Sequence, residues 1–181
     1  FLIYPSRNER VIFAGFTVPF PAICSRPYVV PIGCSFSGFN LAHNHLPEMA
    51  VYSKLDRKPI FCPAVGSFEQ GMVVSVPLHY DQLSEFGRSG EAIHAAIAAR
   101  YQGSRFVSVR DLNDTAELER GAFMRPDTLN NTNNLELSVY ANDDAGQAWL
   151  CARLDNLGKG ASGAAVQNMN LALGLAEDAG L

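Results

Sequence analysis

The amino-acid sequence predicts an α+β domain built on a largely antiparallel sheet, and three observations support this fold. Hydrophobic and polar residues alternate in several short stretches, which is the two-residue period of a half-buried strand. Two of these stretches flank a tight polar turn, as in a β-hairpin. Helix start signals occur apart from the strands, without the regular strand–helix–strand alternation of a parallel sheet.

Residues 1–40 carry no periodic pattern, because prolines interrupt every candidate helix or strand: Pro19, Pro21, Pro27 and Pro31. Regular structure is predicted from about residue 41. Pro47 can open a short helix there, with Glu48 in its first turn. We therefore divide the chain into an irregular Pro-rich segment, residues 1–40, and a folded domain, residues 41–181.

The alternation over Gly71–Leu78 predicts a strand with one buried face, and Pro77 places that strand at a sheet edge. Ser89 can cap a helix over Glu91–Tyr101, in which apolar residues recur every four positions. His94 lies on this helix. We expect it to be a surface or half-buried residue rather than a ligand.

A further short strand is predicted over Phe106–Val109, followed by a polar, acidic loop over 111–131 in which we find no functional pattern. The clearest hairpin joins Leu135–Ala141 to Ala148–Leu154 through the turn Asn142–Gly146. Ser162 is expected to cap a terminal helix over 163–173. One stripe of that helix is apolar: Ala165, Val166, Met169 and Leu173.

Composition and charge exclude several classes of function. The 181 residues are 48% hydrophobic and 18% charged, which is enough apolar material for a packed core. Fourteen Lys and Arg against eighteen Asp and Glu give a net charge of −4 with no basic cluster, so a nucleic-acid partner is not expected. The longest apolar run, Val11–Cys24, is too short for a membrane span and contains two prolines. Four scattered cysteines indicate a reducing compartment, and we expect a cytoplasmic protein.

His43 and His45 form the densest polar cluster, because two imidazoles two residues apart on an extended segment point the same way. Imidazoles can exchange a proton near neutral pH, so the pair suits acid/base chemistry. Two alternatives remain open. The pair could bind a metal ion together with Glu48 or Cys62, or it could be two surface histidines on a loop.

A second candidate site lies in the glycine-rich segment over 155–170. Its small residues allow a backbone or a flat ring to approach closely, an exposed helix N-terminus would offer N–H groups, and Lys159 adds a positive charge. The alternative is a flexible turn that precedes a capped helix. Composition alone favours the flexible turn.

Four stretches together resemble the N-acetyl-gamma-glutamyl-phosphate reductases of the semialdehyde dehydrogenase superfamily, in the shorter of that family's two sequence types. They are LAHNHLPEM (41–49), PAVGSFEQGM (63–72), NTNNLEL (131–137) and LDNLGKGASGAAVQNMNL (154–171). The resemblance implies a two-domain enzyme in which a Rossmann domain holds NADPH. Its second domain, a mixed sheet with helices on one face, provides substrate contacts and the subunit interface. This chain resembles that second, catalytic and dimerisation domain.

The resemblance also implies roles for individual residues. His43 corresponds to the acid/base residue, while His45 and Asn133 correspond to substrate-binding positions. The segment that meets the nicotinamide end of the cofactor corresponds to Gly160, Ala161, Ser162, Gly163 and Asn168. No metal is implied. The substrate would be a small-molecule acyl phosphate, the complete enzyme would be a homo-oligomer, and the terminal helix would pack on the cofactor domain.

The chain departs from the family in two motifs. The nucleophilic cysteine of the family lies in a P-G-C-Y-P-T motif, which is absent here, and Cys34 stands too close to His43 to be assigned that role. No G-x-G-x-x-G motif occurs, so a Rossmann domain is not expected in this chain. Because the sequence also begins at Phe1, we expect an incomplete portion of a reductase. The alternatives are an inactive binding or oligomerisation module and a His-x-His metal-binding domain.

Overall fold

The computed structural model describes residues 40–53 and 59–181, together with the backbone of residues 35–36. The strands are β1 (Ser35–Phe36), β2 (Ala64–Val65), β3 (Met72–His79), β4 (Val107–Val109), β5 (Leu135–Asn142) and β6 (Gln147–Leu154). The α-helices are α1 (Leu46–Ser53), α2 (Gly90–Tyr101) and α3 (Gly163–Ala172), with a π-helical turn over Gly158–Ser162 and short 3₁₀ turns over Tyr80–Gln82 and Glu85–Gly87.

The main sheet has four strands in the order β3-β6-β5-β4. β6 pairs antiparallel with both β3 and β5, whereas β4 pairs parallel with β5, so the sheet is mixed but largely antiparallel. β3 lies at one edge, where Pro77 can be accommodated because an edge strand has one side without ladder bonds. The predicted α+β fold and the predicted strands are confirmed.

The hairpin formed by β5 and β6 supplies most of the core. Leu137 lies opposite Ala152 and Val139 lies opposite Leu150, all of them buried. The turn closes at Gly146, whose φ of 62° is in the left-handed region that glycine tolerates. Because alternate residues of both strands point to the same face, the hairpin presents one continuous apolar surface.

Helix α2 covers this apolar surface with Ile93 and Ile97, both buried in the core cluster. The helix begins where predicted, since the Ser89 hydroxyl oxygen accepts a hydrogen bond from the Ala92 N–H. His94 is half-buried, and its Nε2 lies 2.8 Å from the carbonyl oxygen of Arg110. That bond ties the helix to the chain after β4, and the half-buried position of His94 agrees with the expectation for its burial.

Asp143, in the hairpin turn, fixes the start of α2. Its Oδ1 accepts hydrogen bonds from the Gly90 N–H at 2.9 Å and from the Tyr80 hydroxyl at 2.5 Å. The Tyr80 bond lowers the pKa of Asp143, while burial and this bond raise the pKa of Tyr80 to about 12. Gly90 packs so closely on Ala141 that a Cβ at this position would overlap it.

The opposite face of the sheet carries the other set of alternate residues. At one end of this face lies Arg153, which is 2% exposed. Its Nη2 lies 2.5 Å from Oε1 of Glu136 and 3.4 Å from Oε2 of Glu117. Glu117 belongs to the loop over 111–131, which also contributes Asp114 as the partner of Arg110. The loop therefore has a structural role that its sequence pattern did not reveal.

Strands β1 and β2 form a separate two-stranded antiparallel sheet. The expectation that residues 1–40 are irregular is wrong at Ser35–Phe36, because these residues pair with Val65 and Ala64. Apart from these two residues and Asn40, that segment lies outside the described residues, and so does Cys34. Within the described ranges, no helix is both long enough and apolar enough to cross a membrane.

Candidate active site

The two histidines lie directly before helix α1. The N–H of Leu46 donates to the carbonyl of His43 at 3.0 Å, and the N–H of Met49 donates to the carbonyl of His45 at 2.9 Å. These bonds continue the helical pattern backwards from Pro47 and hold the histidine backbone in place. The prediction that Pro47 opens a short helix beside the histidines is confirmed.

His43 and His45 face each other, with ring centroids 5.0 Å apart. The backbone N–H of His45 donates to Nδ1 of His43 at 3.3 Å, so Nδ1 acts as an acceptor and the proton of the neutral ring belongs on Nε2. The edge of Phe61 packs against His43 at a centroid distance of 4.7 Å. His43 therefore offers an Nε2–H donor from a fixed ring.

His45 has a carboxylate partner. Its Nδ1 lies 3.0 Å from Oε2 of Glu48, one helical turn further along the chain. A carboxylate at this distance holds the proton on Nδ1 and leaves Nε2 as an acceptor, as in the histidine–carboxylate pairs of acid/base enzymes. From the sequence we expected Glu48 only as a residue of the first helical turn or as a metal ligand. Its three-residue spacing from His45 could have predicted this contact.

A metal site finds no support in the described part of the chain, where no group of three His, Cys, Asp or Glu residues could hold an ion. Cys62 is an exposed free thiol next to Phe61. Cys151 is buried in β6, and burial raises the pKa of its thiol to about 11, so the reactive thiolate form is strongly disfavoured.

The glycine-rich segment differs from the prediction at its centre. The chain enters α3 through the π-helical turn, and Ser162 has helical backbone angles with its hydroxyl donating back to the Leu157 carbonyl. The N–H groups of Gly160, Ser162 and Gly163 already donate to backbone carbonyls. Ser162 is therefore not a helix cap, and the predicted free helix N-terminus is wrong.

Asp155 holds this turn in place. Its buried carboxylate accepts hydrogen bonds from four donors, namely the backbone N–H groups of Asn131, Leu157 and Gly158 and the side chain of Gln70. The next residue, Asn156, accepts from the N–H of Gly71 at 2.7 Å. Three distant segments therefore meet at Asp155, a role that sequence reasoning missed because the donors lie up to 85 positions away.

Lys159 points into the domain. Its Nζ lies 2.5 Å from Oε1 of Gln167 and 5.4 Å from the ring centre of Phe106, and burial lowers its pKa. Asn133 donates to the same Gln167 oxygen at 3.0 Å, and Gln167 donates to Glu177 at 2.6 Å. These contacts tie the turn, α3 and the C-terminal residues together, and they direct the lysine charge away from the surface.

The predicted contact residues are divided between surface and interior. Ala161, Ser162 and Asn168 are exposed and Gly160 is half-buried, whereas Gly163 and Asn133 are buried. The Gly163 backbone lies so close to Oδ1 of Asn133 that any Cβ at 163 would overlap it, and that oxygen has no hydrogen-bond partner among the described residues. We find no direct contact between His43 and this group within the described ranges.

These observations test the fit of a nicotinamide cofactor. The small exposed residues Ala161 and Ser162, after the half-buried Gly160, leave room for a flat ring to approach the turn, and Asn168 adds an exposed amide. The turn is a poor binding site for a phosphate, because its backbone N–H groups donate to backbone carbonyls and Lys159 donates to Gln167. The residues therefore fit the ring end of such a cofactor rather than its phosphates.

Comparison with known families gives a clear match. The profile described as "Semialdehyde dehydrogenase, dimerisation domain" matches residues 34–156, which include both histidines, Asn133 and the whole main sheet. The chain belongs to this family. The match of the semialdehyde dehydrogenase dimerisation domain ends one residue before Leu157 and so excludes the π-helical turn and α3.

Several relatives carry the name N-acetyl-gamma-glutamyl-phosphate reductase. The protein from Trichormus variabilis is 51% identical over 144 residues, which are 80% of this chain and 44% of the relative. The protein from Rhizobium etli is 50% identical over 136 residues (75% and 43%), and that from Burkholderia ambifaria is 47% identical over 139 residues (77% and 43%). The chain thus spans less than half the length of these relatives. The family resemblance predicted from the four sequence stretches is confirmed.

Proposed function

We propose that this chain forms the C-terminal part of an NADPH-dependent N-acetyl-gamma-glutamyl-phosphate reductase. The reaction converts the acyl phosphate to N-acetylglutamate semialdehyde and releases phosphate, a step of arginine biosynthesis. The observation that carries the proposal is the histidine pair with Glu48, which supplies a proton donor and a proton acceptor side by side. The name shared by relatives with about half of their aligned residues identical supports the substrate.

The reaction needs proton transfer at the oxygen of the reacting carbonyl group. A thiolate displaces phosphate to form a thioester, NADPH when bound supplies the hydride to the carbonyl carbon, and the carbonyl oxygen takes up a proton to give a thiohemiacetal. The thiohemiacetal then loses that proton as its carbon–sulfur bond breaks, which gives the aldehyde and a thiolate. Family resemblance gives the acid/base role to His43 and substrate binding to His45. Hydrogen bonding favours His45 for removal of the proton, since Glu48 holds the ring proton on Nδ1 and leaves Nε2 as the acceptor. It gives His43 an Nε2–H for the substrate oxygen.

The nucleophilic thiol is assigned to a part of the complete enzyme outside the described residues. Cys151 is buried in the protonated form and is unsuitable. Cys62 is exposed, but it does not lie in the family's cysteine motif. The chain accordingly provides proton transfer and binding surfaces to a reaction whose covalent step occurs on another segment.

The exposed residues Ala161, Ser162 and Asn168 are proposed to face the nicotinamide ring, with Gly160 allowing close backbone approach. Gly163 contributes indirectly, because its lack of a side chain lets Asn133 pack beneath the turn. Asn133 is proposed to shape the substrate site by the same packing. The exposed side chains of Met169 on α3 and of Leu173, directly after α3, are proposed to pack on the cofactor domain. The complete enzyme is proposed to be a cytoplasmic homo-oligomer.

Genetic complementation tests the function. The matching segment of the Trichormus variabilis reductase is replaced by residues 40–181 of this chain, and the chimaera is expressed in an arginine auxotroph that lacks its own reductase. We expect growth without arginine for the chimaera and no growth for the same chimaera with His45→Gln. A folded chimaera that supports no growth would favour the alternative of an inactive binding module.

A further inference from the structure

Lys159 is buried inside the domain, although it belongs to the turn that is proposed to face the cofactor. The residue is 2% exposed, and its Nζ donates to Oε1 of Gln167 at 2.5 Å. The ring centre of Phe106, just before β4, lies 5.4 Å from the same nitrogen, within the range of a cation–π contact. Lysine is almost never buried this deeply unless partners hold its amine in place.

Gln167 connects this amine to helix α3. Its Oε1 accepts hydrogen bonds from Lys159 and from Nδ2 of Asn133, and its Nε2 donates to Oε1 of Glu177 at 2.6 Å. Partners at both ends of the amide fix the direction in which it faces. Because Asn168 follows Gln167 directly in α3, these bonds also hold the part of the helix that carries Asn168.

The turn over Gly158–Ser162 is therefore held at two places. Asp155 holds its start, because the carboxylate and the backbone carbonyl of this residue both accept N–H bonds from the turn. Lys159 holds its middle through Gln167. The exposed Ala161 comes two residues after Lys159, so its position relative to α3 depends on this second anchor.

Stability alone does not require an amine at this place. Removing an amine from water costs free energy, and burial accordingly lowers the pKa of Lys159, while the charge of Glu177 opposes this shift. A methionine of similar length would fill the same space without that cost, and Gln167 would keep its bonds to Asn133 and Glu177. What the lysine adds is direction, because its hydrogen bond specifies one position of the turn where an apolar contact would allow several.

We propose that Lys159 is a positioning residue for hydride transfer, which holds the turn so that Ala161, Ser162 and Asn168 face the nicotinamide ring at one fixed distance. This inference rests on the proposed function and identifies what places the cofactor-facing residues. The lysine acts through Gln167 and touches neither cofactor nor substrate. Its effect should appear in the rate of hydride transfer, since a displacement of about 1 Å at the reacting groups can slow a reaction by roughly a hundred-fold.

Hydrogen exchange in the 181-residue chain tests the hold on the turn directly. The N–H groups of Gly160, Ser162 and Gly163 donate to backbone carbonyls within and just before the turn. We expect them to exchange roughly ten-fold faster in Lys159→Met, which loses one hydrogen bond from a charged donor. Lys159→Arg keeps the charge and a donor and should exchange at close to the unmodified rate. Arg100→Met, which removes one positive charge from an exposed position of α2, is the matched control.

Kinetics of the chimaera test the consequence for the reaction. With Lys159→Met we expect a kcat lower by roughly ten-fold or more, KM values for NADPH and the acyl phosphate within about three-fold, and a larger kinetic isotope effect with NADPH deuterated at both C4 positions. Lys159→Arg and Arg100→Met should retain the unmodified kcat and isotope effect. A merely structural role would reduce the amount of folded enzyme and leave the isotope effect unchanged. Lys159→Gln, whose side chain is shorter than that of lysine, repeats the test where Lys159→Met does not fold.

Outcomes for the positioning role and for the reductase are separable. If the chimaera reduces the acyl phosphate and Lys159→Met leaves kcat and the isotope effect unchanged, the positioning role is wrong and the proposed function stands. A lower kcat without faster exchange in the turn would also overturn the positioning role. If a folded chimaera oxidises no NADPH, the proposed function is wrong and the positioning role falls with it, even where exchange in the turn responds to Lys159→Met.

Discussion

Nδ1 of His45 lies 3.0 Å from Oε2 of Glu48, so the second histidine of the pair has a carboxylate as the partner of its Nδ1. His43, in contrast, receives a backbone N–H on its Nδ1. The two rings therefore hold opposite tautomers within one short segment. This difference gives the pair a donor and an acceptor, which two equivalent surface histidines would lack.

Nitrogen NMR of the histidine rings tests these tautomers in the 181-residue chain. We expect the neutral ring of His43 to carry its proton on Nε2 and that of His45 to carry it on Nδ1, because their partners require it. Glu48→Gln should change the signals of His45 and leave those of His94 unchanged. Identical tautomers for His43 and His45 in the unmodified chain would contradict the assignment.

The contact between Tyr80 and Asp143 predicts a loss of stability at high pH. The pKa of Tyr80 is raised to about 12 in the folded chain, so the unfolded chain releases this proton first as pH rises above the ordinary tyrosine value. The free energy of unfolding should therefore fall between the two pKa values. Thermal melts of Tyr80→Phe across this range should show a shallower fall, whereas the same pH dependence in both proteins would refute the prediction.

The same contact predicts that the free energy of unfolding also falls at low pH. The pKa of Asp143 is lowered by its bond to Tyr80, so its contribution is present above the ordinary aspartate pKa and is lost as pH falls through the folded value. Asp143→Ala removes the acceptor for the Gly90 N–H as well, so we expect it to lower the free energy of unfolding, whereas Asp144→Ala should leave it nearly unchanged. Asp144→Ala, in the same turn, is the control for chemical denaturation.

The cysteines should differ in reactivity. The thiol of Cys151 is buried with its pKa raised to about 11, while Cys62 is exposed. In a variant with serine at positions 24 and 34, a thiol reagent at neutral pH should label Cys62 much faster than Cys151. Peptide mapping after timed labelling measures both rates. Equal rates in the folded protein would show that Cys151 is accessible.

The buried ion pair of Arg153 and Glu136 predicts that substitutions of the two residues have strongly non-additive effects on the free energy of unfolding. Arg153 already has Nε and Nη1 without partners among the described residues, so loss of Glu136 would leave a buried charge poorly compensated. Glu136→Leu should cost about 3 kcal/mol, and Arg153→Met in the same chain should recover most of it. Urea denaturation of the two single variants and the double variant measures the coupling. Additive losses would exclude it.

Local sequence signals predicted the elements that depend on neighbouring residues. The hairpin followed from strict alternation around the turn Asn142–Gly146, and α2 followed from Ser89 and its apolar spacing. Ser162 failed as a cap because Gly158 and Gly160 allow a π-helical turn to precede α3, and glycine content alone does not reveal that turn. The role of Asp155 depends on Gln70, 85 positions away, so no local pattern could have shown it.

The site was predicted only in part, because its contacts also depend on segments that are far apart in the sequence. The resemblance indicated both histidines, but spacing alone did not distinguish them, and the distinction depends on the hydrogen bonds of their Nδ1 atoms. Asn133 and Gly163 were expected at a ligand surface. Their mutual packing places them inside the domain, which became visible only when the loop over 130–134 and α3 were brought together.

Steady-state kinetics of the purified chimaera, with NADPH and N-acetyl-gamma-glutamyl phosphate, tests the central claim most directly. We expect NADPH oxidation that depends on the acyl phosphate, a kcat lower by roughly a hundred-fold or more in His45→Gln, and a smaller decrease in Glu48→Gln. Glu91→Gln, on the exposed side of α2, should retain full activity. A folded chimaera whose activity is unaffected by substitution of either histidine would contradict the claim that this pair carries the proton.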